Sequence, residues 1–310
     1  MHSGREADPT RPHLTRPRVG YLGPAGTFSE EALLASAAAD ALEPVAQASI
    51  YDAVMALRSG EVSFSIVPIE NSLEGSISVT LDLLAGEAGD VEIVGEAQLR
   101  VRHSLIAAAE LAMAEIDTVI THPHVPGQCA RLLRGELAHA RVLAASSTAE
   151  AVWAVVAGGV RGQAAIGTLL AARIYGGTVI REGVEDREDN ETRFVWLASG
   201  PAAGRTRRPP GLRAGGQWKT SLVFWGAGAE RPGWLVRCLD EFARRRINLT
   251  KIESRPRREG FGSYMFFADL AARVDDAAVA EALTSLRAHC EEVRVLGSYP
   301  AAAPVQGPSG

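Results

Sequence analysis

The chain has 310 residues, 46 % of them hydrophobic and 22 % charged, with a formal net charge of −5. That length exceeds one ordinary core and suits two or three compact units, and the negative charge argues against a nucleic-acid-binding surface. Cys129, Cys238 and Cys290 lie far apart without metal-ligand or Cys-x-x-Cys spacing, no apolar run reaches the ~18 residues of a membrane span, and residues 1–17 lack the apolar core of a signal peptide. A cytoplasmic protein with buried thiols, a disordered N-terminal arm and neither metal nor cofactor is the expectation.

Regular patterning begins with a short strand, Arg18 to Leu22, broken by Gly23-Pro24-Ala25-Gly26-Thr27. A helix is predicted from Ser29 to about Ala39, with Thr27 and Glu30 at capping-box spacing. Strand, glycine loop and helix in that order present backbone N–H groups to a ligand at the helix start. Ser63 to Pro68 reads as a buried strand, Ile69 to Gly75 as a polar loop and Val79 to Leu84 as helix. Val91 to Leu105 is strand-rich and Thr118 to Ile120 another strand, then Pro126 to Leu133 a helix and Val142 to Ala144 a strand. Ser147 and Glu150 repeat the capping-box spacing before a helix that runs through Val156. Ala164 to Gly167, Thr168 to Tyr175 and Arg193 to Ala198 read as strand, helix and strand. This alternation predicts an α/β architecture with one or two largely parallel sheets.

Residues 200–217, rich in Gly, Pro and Arg, read as a linker. Beyond it the order changes: strand at Thr220 to Trp225, amphipathic helix through Leu235, Cys238, Leu239 and Phe242, strands at Asn248 to Ser254 and Gly262 to Leu270, helix through Val279, Leu283 and Leu286, and a closing strand at Val293 to Leu296. The βαββαβ order predicts a ferredoxin-like domain over 218–299, followed by a tail at 300–310.

Six segments together resemble the prephenate dehydratase family with its C-terminal ACT domain: Gly23 to Glu30, Pro68 to Gly75, Thr121-His122-Pro123-His124 with Gln128-Cys129, Ser146 to Ala151, Asn190-Glu191-Thr192-Arg193-Phe194, and Glu253-Ser254-Arg255-Pro256. The resemblance covers the chain from about Val19 to Tyr299. It implies a catalytic domain over 18–199, built as two subdomains like a periplasmic binding protein, one from about 18–98 and 179–199 and the other from about 99–178. The chain would cross near Leu99 and return near Val179, and the site would lie in the cleft between them.

The implied substrate is prephenate, which loses carbon dioxide and water together as its ring becomes aromatic. Aromatisation drives the reaction, so no metal, redox cofactor or covalent intermediate is required. The resemblance puts assistance to the leaving hydroxyl on Thr192, with Arg193 as the candidate cation, and Glu70 and Asn71 complete the expected catalytic set. A Glu70 near the dianion would have its pKa raised and would be the alternative proton source. Thr27, Ser72, Ser147, Thr148 and Phe194 are the expected substrate contacts. Phenylalanine is the implied effector, held at an interface between ACT domains of a homodimer or tetramer by Gly233, Trp234, Leu235, Glu253, Ser254, Arg255 and Pro256. Trp234 departs from the small residue usual there and is expected to point outward onto a partner chain. The linker implies a catalytic domain that works without the ACT domain. Arogenate as substrate, a prephenate decarboxylase and a non-catalytic amino-acid receptor are the alternatives, the second disfavoured by Thr192 together with the ACT domain and the third by Thr192-Arg193-Phe194.

Overall fold

A computed structural model describes residues 16–200, 208–226, 231–260 and 262–302. The arm to residue 15, the linker stretch 201–207 and the tail beyond 302 lie outside the described residues. In the first lobe β1 (Arg18–Leu22), α1 (Phe28–Ser36), β2 (Glu43–Gln47), α2 (Ile50–Arg58) and β3 (Phe64–Asn71) form a parallel wind, with β2 and β3 flanking β1. The chain continues through β4 (Gly75–Ser76), α3 (Ser78–Ala85) and β5 (Val91–Arg100) before it crosses to the second lobe. That lobe holds β6 (Ser104–Ala107), β7 (Thr118–Thr121), α4 (Val125–Gln128), α5 (Ala130–Arg134), β8 (Arg141–Ala144), α6 (Thr148–Gly158), β9 (Gln163–Gly167), α7 (Leu169–Tyr175) and β10 (Thr178–Glu182). Its sheet runs β10-β6-β9-β7-β8. The chain returns as β11 (Glu191–Ser199), which inserts between β3 and β5 and is antiparallel to both. Two α/β lobes joined by two crossings give the architecture of a periplasmic binding protein.

Three local readings change. The return falls between Glu182 and Glu191 rather than near Val179, because β10 pairs with β6 of the second sheet. Residues 69–71 belong to β3 rather than to a loop, because pairing with β11 satisfies their backbone groups. The parallel wind is interrupted, since both crossing strands lie antiparallel to their neighbours. β2 escaped the reading because it is an edge strand with no buried residue, so it carries no apolar alternation.

The third unit follows the βαββαβ order: β12 (Ala214–Trp225), α8 (Trp234–Ala243), β13 (Leu249–Pro256), β14 (Tyr264–Leu270), α9 (Ala277–Arg287) and β15 (Glu292–Ala302). Its antiparallel sheet runs β13-β14-β12-β15. One face buries Phe224, Phe242, Ala268 and Leu283 under α8 and α9. The other face joins the first lobe. Val223, Met265, Phe267 and Tyr299 pack in one cluster with Val67, Leu81, Leu84, Ile93 and Val195. β15 lies so close to β5 that a Cβ at Gly297 would collide with the Ile93 carbonyl oxygen. One of the first lobe's two hydrophobic clusters is thus shared with this sheet, so the third unit is packed onto the first lobe and is not merely tethered to it by the linker. No helix of the described residues is long and apolar enough to cross a membrane.

Trp234 turns inward, not outward. Its ring packs beside Phe224 and Phe266, and its indole N–H donates to the His289 carbonyl at 2.7 Å. Gly233 makes the turn that sends it there with a left-handed φ of 79°. Trp234→Ala should thus cost this domain ~3–5 kcal/mol, the range for truncating a buried large aromatic residue. Equal midpoints of chemical unfolding for mutant and parent would contradict the packing.

Truncation after Gly200 should yield an aggregating or non-cooperatively unfolding product, since it uncovers the apolar face around Val67, Leu81 and Ile93. A soluble fragment that unfolds in one sharp transition would show that the first lobe closes its core alone.

Candidate active site

Two helix starts face one another across the inter-lobe cleft, whose volume is about 680 Å³. At the first, the Thr27 hydroxyl accepts from the Glu30 N–H at 3.5 Å and donates to the Leu22 carbonyl at 2.8 Å, while the Glu30 carboxylate accepts from the Gly26 N–H at 2.6 Å. The second uses the same device: Ser147 accepts from the Glu150 N–H at 3.0 Å and Glu150 accepts from the Ser146 N–H at 2.8 Å. Bonds from the Ser146 side chain and backbone hold the Glu150 carboxyl below its ordinary pKa. Each cap satisfies one first-turn N–H and leaves others of that turn without an intrahelical partner. The lobes are tied beside this region. Thr168 donates from its hydroxyl to the Gly26 carbonyl at 2.6 Å, and Tyr175 to that of Ala25 at 2.7 Å. Gly26 combines a left-handed φ of 86° with direct approach to Ala171, so a side chain there would be excluded twice.

A chain of amides builds the wall opposite. The Asn71 side-chain oxygen accepts from the N–H groups of Leu73 and Glu74, at 2.9 and 3.0 Å. Backbone N–H groups can only donate, so the Asn71 NH₂ must face the other way. It donates to Asn190 Oδ1 at 2.8 Å and to Thr192 Oγ1 at 3.0 Å. Gln128 donates to the Glu74 carboxylate at 3.0 Å, which turns its oxygen toward the His103 Nε2 atom, 2.9 Å away. Nε2 of His103 therefore carries the proton and Nδ1 does not. Burial lowers the pKa of His103, in keeping with that neutral form, and its buried Nδ1 has no protein partner. Glu74 also meets His124 Nδ1 at 3.0 Å, so the tip beyond β3 bridges to the second lobe at two points.

The Thr192 hydroxyl has one proton, and its oxygen already accepts from Asn71. An N–H bond to that oxygen polarises the O–H and leaves the proton free to be donated. Thr192 lines the cleft together with Thr27, Asn71, Ser147 and Thr148.

Other expected residues lie elsewhere. Glu70 and Arg193 pair with each other across β3 and β11, as Asn71 pairs with Thr192. Successive strand residues point to opposite faces, so Glu70 and Arg193 point away from the cleft. Arg193 is buried and donates to Glu96 at 2.7 Å and Asp269 at 2.6 Å. Glu70 meets Lys251 at 3.2 Å and Arg193 at 3.4 Å. Neither can be the cation or the proton source of the cleft in this arrangement, which corrects both expectations. Ser72 clasps the Glu191 N–H at 2.9 Å outside the cleft, and Phe194 is buried beneath α1. Among the described residues that line the cleft, none is Lys or Arg. Glu74, His103, Gln128 and Asn190 were missed as site residues. Glu74, Gln128 and Asn190 stand in family-like segments, but nothing in their spacing marks their partners.

The expected effector residues also divide by strand alternation. Glu253 accepts from Ser76 at 3.0 Å and Arg255 grips Asp82 at 2.7 Å, both toward the first lobe. Ser254 and Pro256 are exposed on the other face of β13. Gly233, Trp234 and Leu235 line a separate hollow with Tyr264 and Phe266.

The family model for prephenate dehydratase matches residues 19–202, and that for the ACT domain matches residues 228–288. A prephenate dehydratase of Mycolicibacterium vanbaalenii is 39 % identical over 92 % of this chain and 91 % of its own. Among solved structures, the prephenate dehydratase of Arthrobacter aurescens in complex with L-phenylalanine is 32 % identical, with a TM-score of 0.81 over 94 % of this chain and 92 % of its own. A protein described as a novel type of quorum-quenching acylase is also similar, 27 % identical with a TM-score of 0.78 over 93 % and 98 % of the two chains. The cleft between two capped helices, the amide-backed Thr192 and these matches over most of the chain agree: it belongs to the prephenate dehydratase family.

Proposed function

We propose that prephenate loses water and carbon dioxide in the inter-lobe cleft, with Thr192 as the donor to its leaving hydroxyl. The reaction consumes one proton: prephenate dianion and a proton give phenylpyruvate, water and carbon dioxide. As the ring C–O bond breaks, negative charge grows on the departing oxygen. A preorganised O–H aimed at that oxygen strengthens as the charge develops, and so favours the transition state over bound substrate. The observation that carries this reading is the Asn71 N–H on the Thr192 oxygen, which assigns the free proton. The first-turn N–H groups of α1 and α6 hold the two carboxylates, helped by the positive end of each helix. An acyl-transfer reading of the same cleft fits less well, because the Thr192 hydroxyl is backed by an amide donor rather than by a base.

Phenylalanine regulates at the ACT domain in this reading. Within one chain the hollow at Gly233 is lined by no residue of β13. A second ACT domain laid beside β13 brings the two segments together, and exposed Ile252, Val236 and Tyr264 provide apolar surface for it. We therefore place the effector between two chains of a dimer or tetramer.

Purified protein incubated with prephenate should form phenylpyruvate, read by its absorbance in alkali. Thr192→Ala should lower kcat by roughly 10²–10³, the cost of one transition-state donor. Asn71→Asp should do comparable damage, because a carboxylate would draw the Thr192 proton to itself. Near-normal turnover in both folded variants would remove Thr192 from this role.

Phenylalanine should raise the oligomer mass or tighten an existing assembly at limiting protein concentration, since a ligand shared by two chains favours the paired state. Sedimentation across a dilution series checks this; saturable phenylalanine binding by a strictly monomeric protein would refute the shared site.

A further inference from the structure

Arg193 stands next to Thr192 in sequence, yet its guanidinium lies in the contact between the first lobe and the ACT sheet. Its partners close a ring. Nη2 donates to the Tyr299 hydroxyl at 2.8 Å, the Tyr299 and Ser221 hydroxyls lie 2.7 Å apart, Ser221 donates to Asp269 at 2.5 Å, and Asp269 accepts from Nη1 at 2.6 Å. A guanidinium only donates and a carboxylate only accepts, so every proton of the ring is assigned. Tyr299 receives from Arg193 and gives to Ser221, which gives to Asp269. Burial pushes the Tyr299 phenol up, so the proton it contributes stays in place. Nε of Arg193 is held separately by Glu96 of β5 at 2.7 Å, and Lys219 meets the same carboxylate at 2.8 Å.

Three of the four ring members, Ser221, Asp269 and Tyr299, belong to the ACT sheet. The fourth sits in β11, one residue from the donor of the reaction. Next to Arg193, the pairing of β11 with β3 shifts register before Phe194. The extra residue of that shift is Ile69, so the disruption and bend fall on β3 beside the Asn71–Thr192 pair, while β11 keeps regular pairing with β5 from Glu191 to Trp196. The set of the Thr192 hydroxyl against Asn71 is therefore fixed from the β11 side, where the next residue, Arg193, is held by the ring.

We propose that Arg193 is a positioning residue for the dehydration, which uses the ACT-domain ring of Tyr299, Ser221 and Asp269 to set the Thr192 hydroxyl against Asn71. The ACT sheet is on this account a wall of the active site one residue removed, present in the reaction without touching substrate. The inference rests on Thr192 as the donor.

The test is a double-mutant cycle. Tyr299→Phe removes one hydroxyl from the ring at nearly constant volume, and Asp269→Asn removes the charge at its far end. Each is made alone and together with Thr192→Ala, and kcat, KM and the unfolding midpoint are measured for all. In the parent background each should lower kcat by about tenfold, with KM changed less than about twofold, since carboxylate binding lies elsewhere. In the Thr192→Ala background the same substitutions should change kcat by less than about twofold, because residues that act as a unit are non-additive. Equal losses in both backgrounds, or unchanged kcat in a folded Tyr299→Phe protein, would overturn the proposal. Should Asp269→Asn fail to fold, Tyr299→Phe decides alone. Normal turnover by Thr192→Ala would instead sink the reading of Thr192 itself, a result distinct from either outcome of the cycle.

Discussion

The two-residue repeat of a β-strand, applied to one pair of strands, governs the arrangement of this protein. Asn71 opposes Thr192 and Glu70 opposes Arg193. One pair therefore faces the cleft and the other faces the ACT sheet. A slip of a single residue would exchange them, placing a guanidinium in the cleft and the Thr192 hydroxyl in the domain contact. What guards against the slip is chemical as well as apolar. Ser72 and Glu191 are clasped on one side of the pair, and Phe194 and Trp196 are buried under α1 on the other.

The charges behind that pair balance. Arg193, Lys219 and Lys251 face Glu70, Glu96 and Asp269, three cations against three carboxylates. Burial pushes Glu96 up, but Arg193 and Lys219 more than offset it and hold its carboxyl below the usual range. Such a cluster is weak evidence of stability, since apolar residues of similar volume often do as well. Its contribution is geometric. Glu96 fixes Nε of the rigid Arg193 fork and Asp269 its Nη1, and removal of either leaves a buried charge less well matched. Apolar contact around Val67, Ile93 and Tyr299 supplies the adhesion between the units, while the ion pairs decide how they are oriented.

Much of this was legible in the sequence. The strand–loop–helix starts at Thr27 and Ser147 were readable because a capping box places a hydroxyl and a carboxylate three residues apart, a purely local relation. The βαββαβ order was readable because α8 and α9 carry apolar stripes. Arg193 and Glu70 were misassigned for a specific reason. A signature in which Thr and Arg are adjacent looks like one site, but on a strand adjacent residues serve opposite faces, and residues 69–71 had been read as a loop, where no such rule applies. Partners such as Asp269 and Tyr299 lie 76 and 106 positions from Arg193. No local pattern announces contacts of that separation. Trp234 reads as outward from the sequence because Leu235 and Cys238 already supply the inward face of the helix, whereas the left-handed turn at Gly233 swings its ring in beside Phe224 and Phe266.

On the proposed reading the dianion is held by dipoles rather than by lysine or arginine, neither of which lines the cleft among the described residues, and the chemistry gives a reason. One carboxylate of prephenate must leave as neutral carbon dioxide, so negative charge drains from it as the bond breaks. A lysine or arginine paired to that group would bind the ground state more tightly than the transition state and would slow the step. Partial charges spread over first-turn N–H groups of α1 and α6 bind the anion without holding any single oxygen as tightly. The charge that grows instead is on the departing hydroxyl, and there the proposed donor is Thr192, backed by Asn71. Weak contact where charge is lost and a preorganised donor where it is gained are opposite requirements. In the proposed site two helix starts from different lobes and one strand pair would meet both, so its groups are drawn from α1, α6 and β11 rather than from a single element.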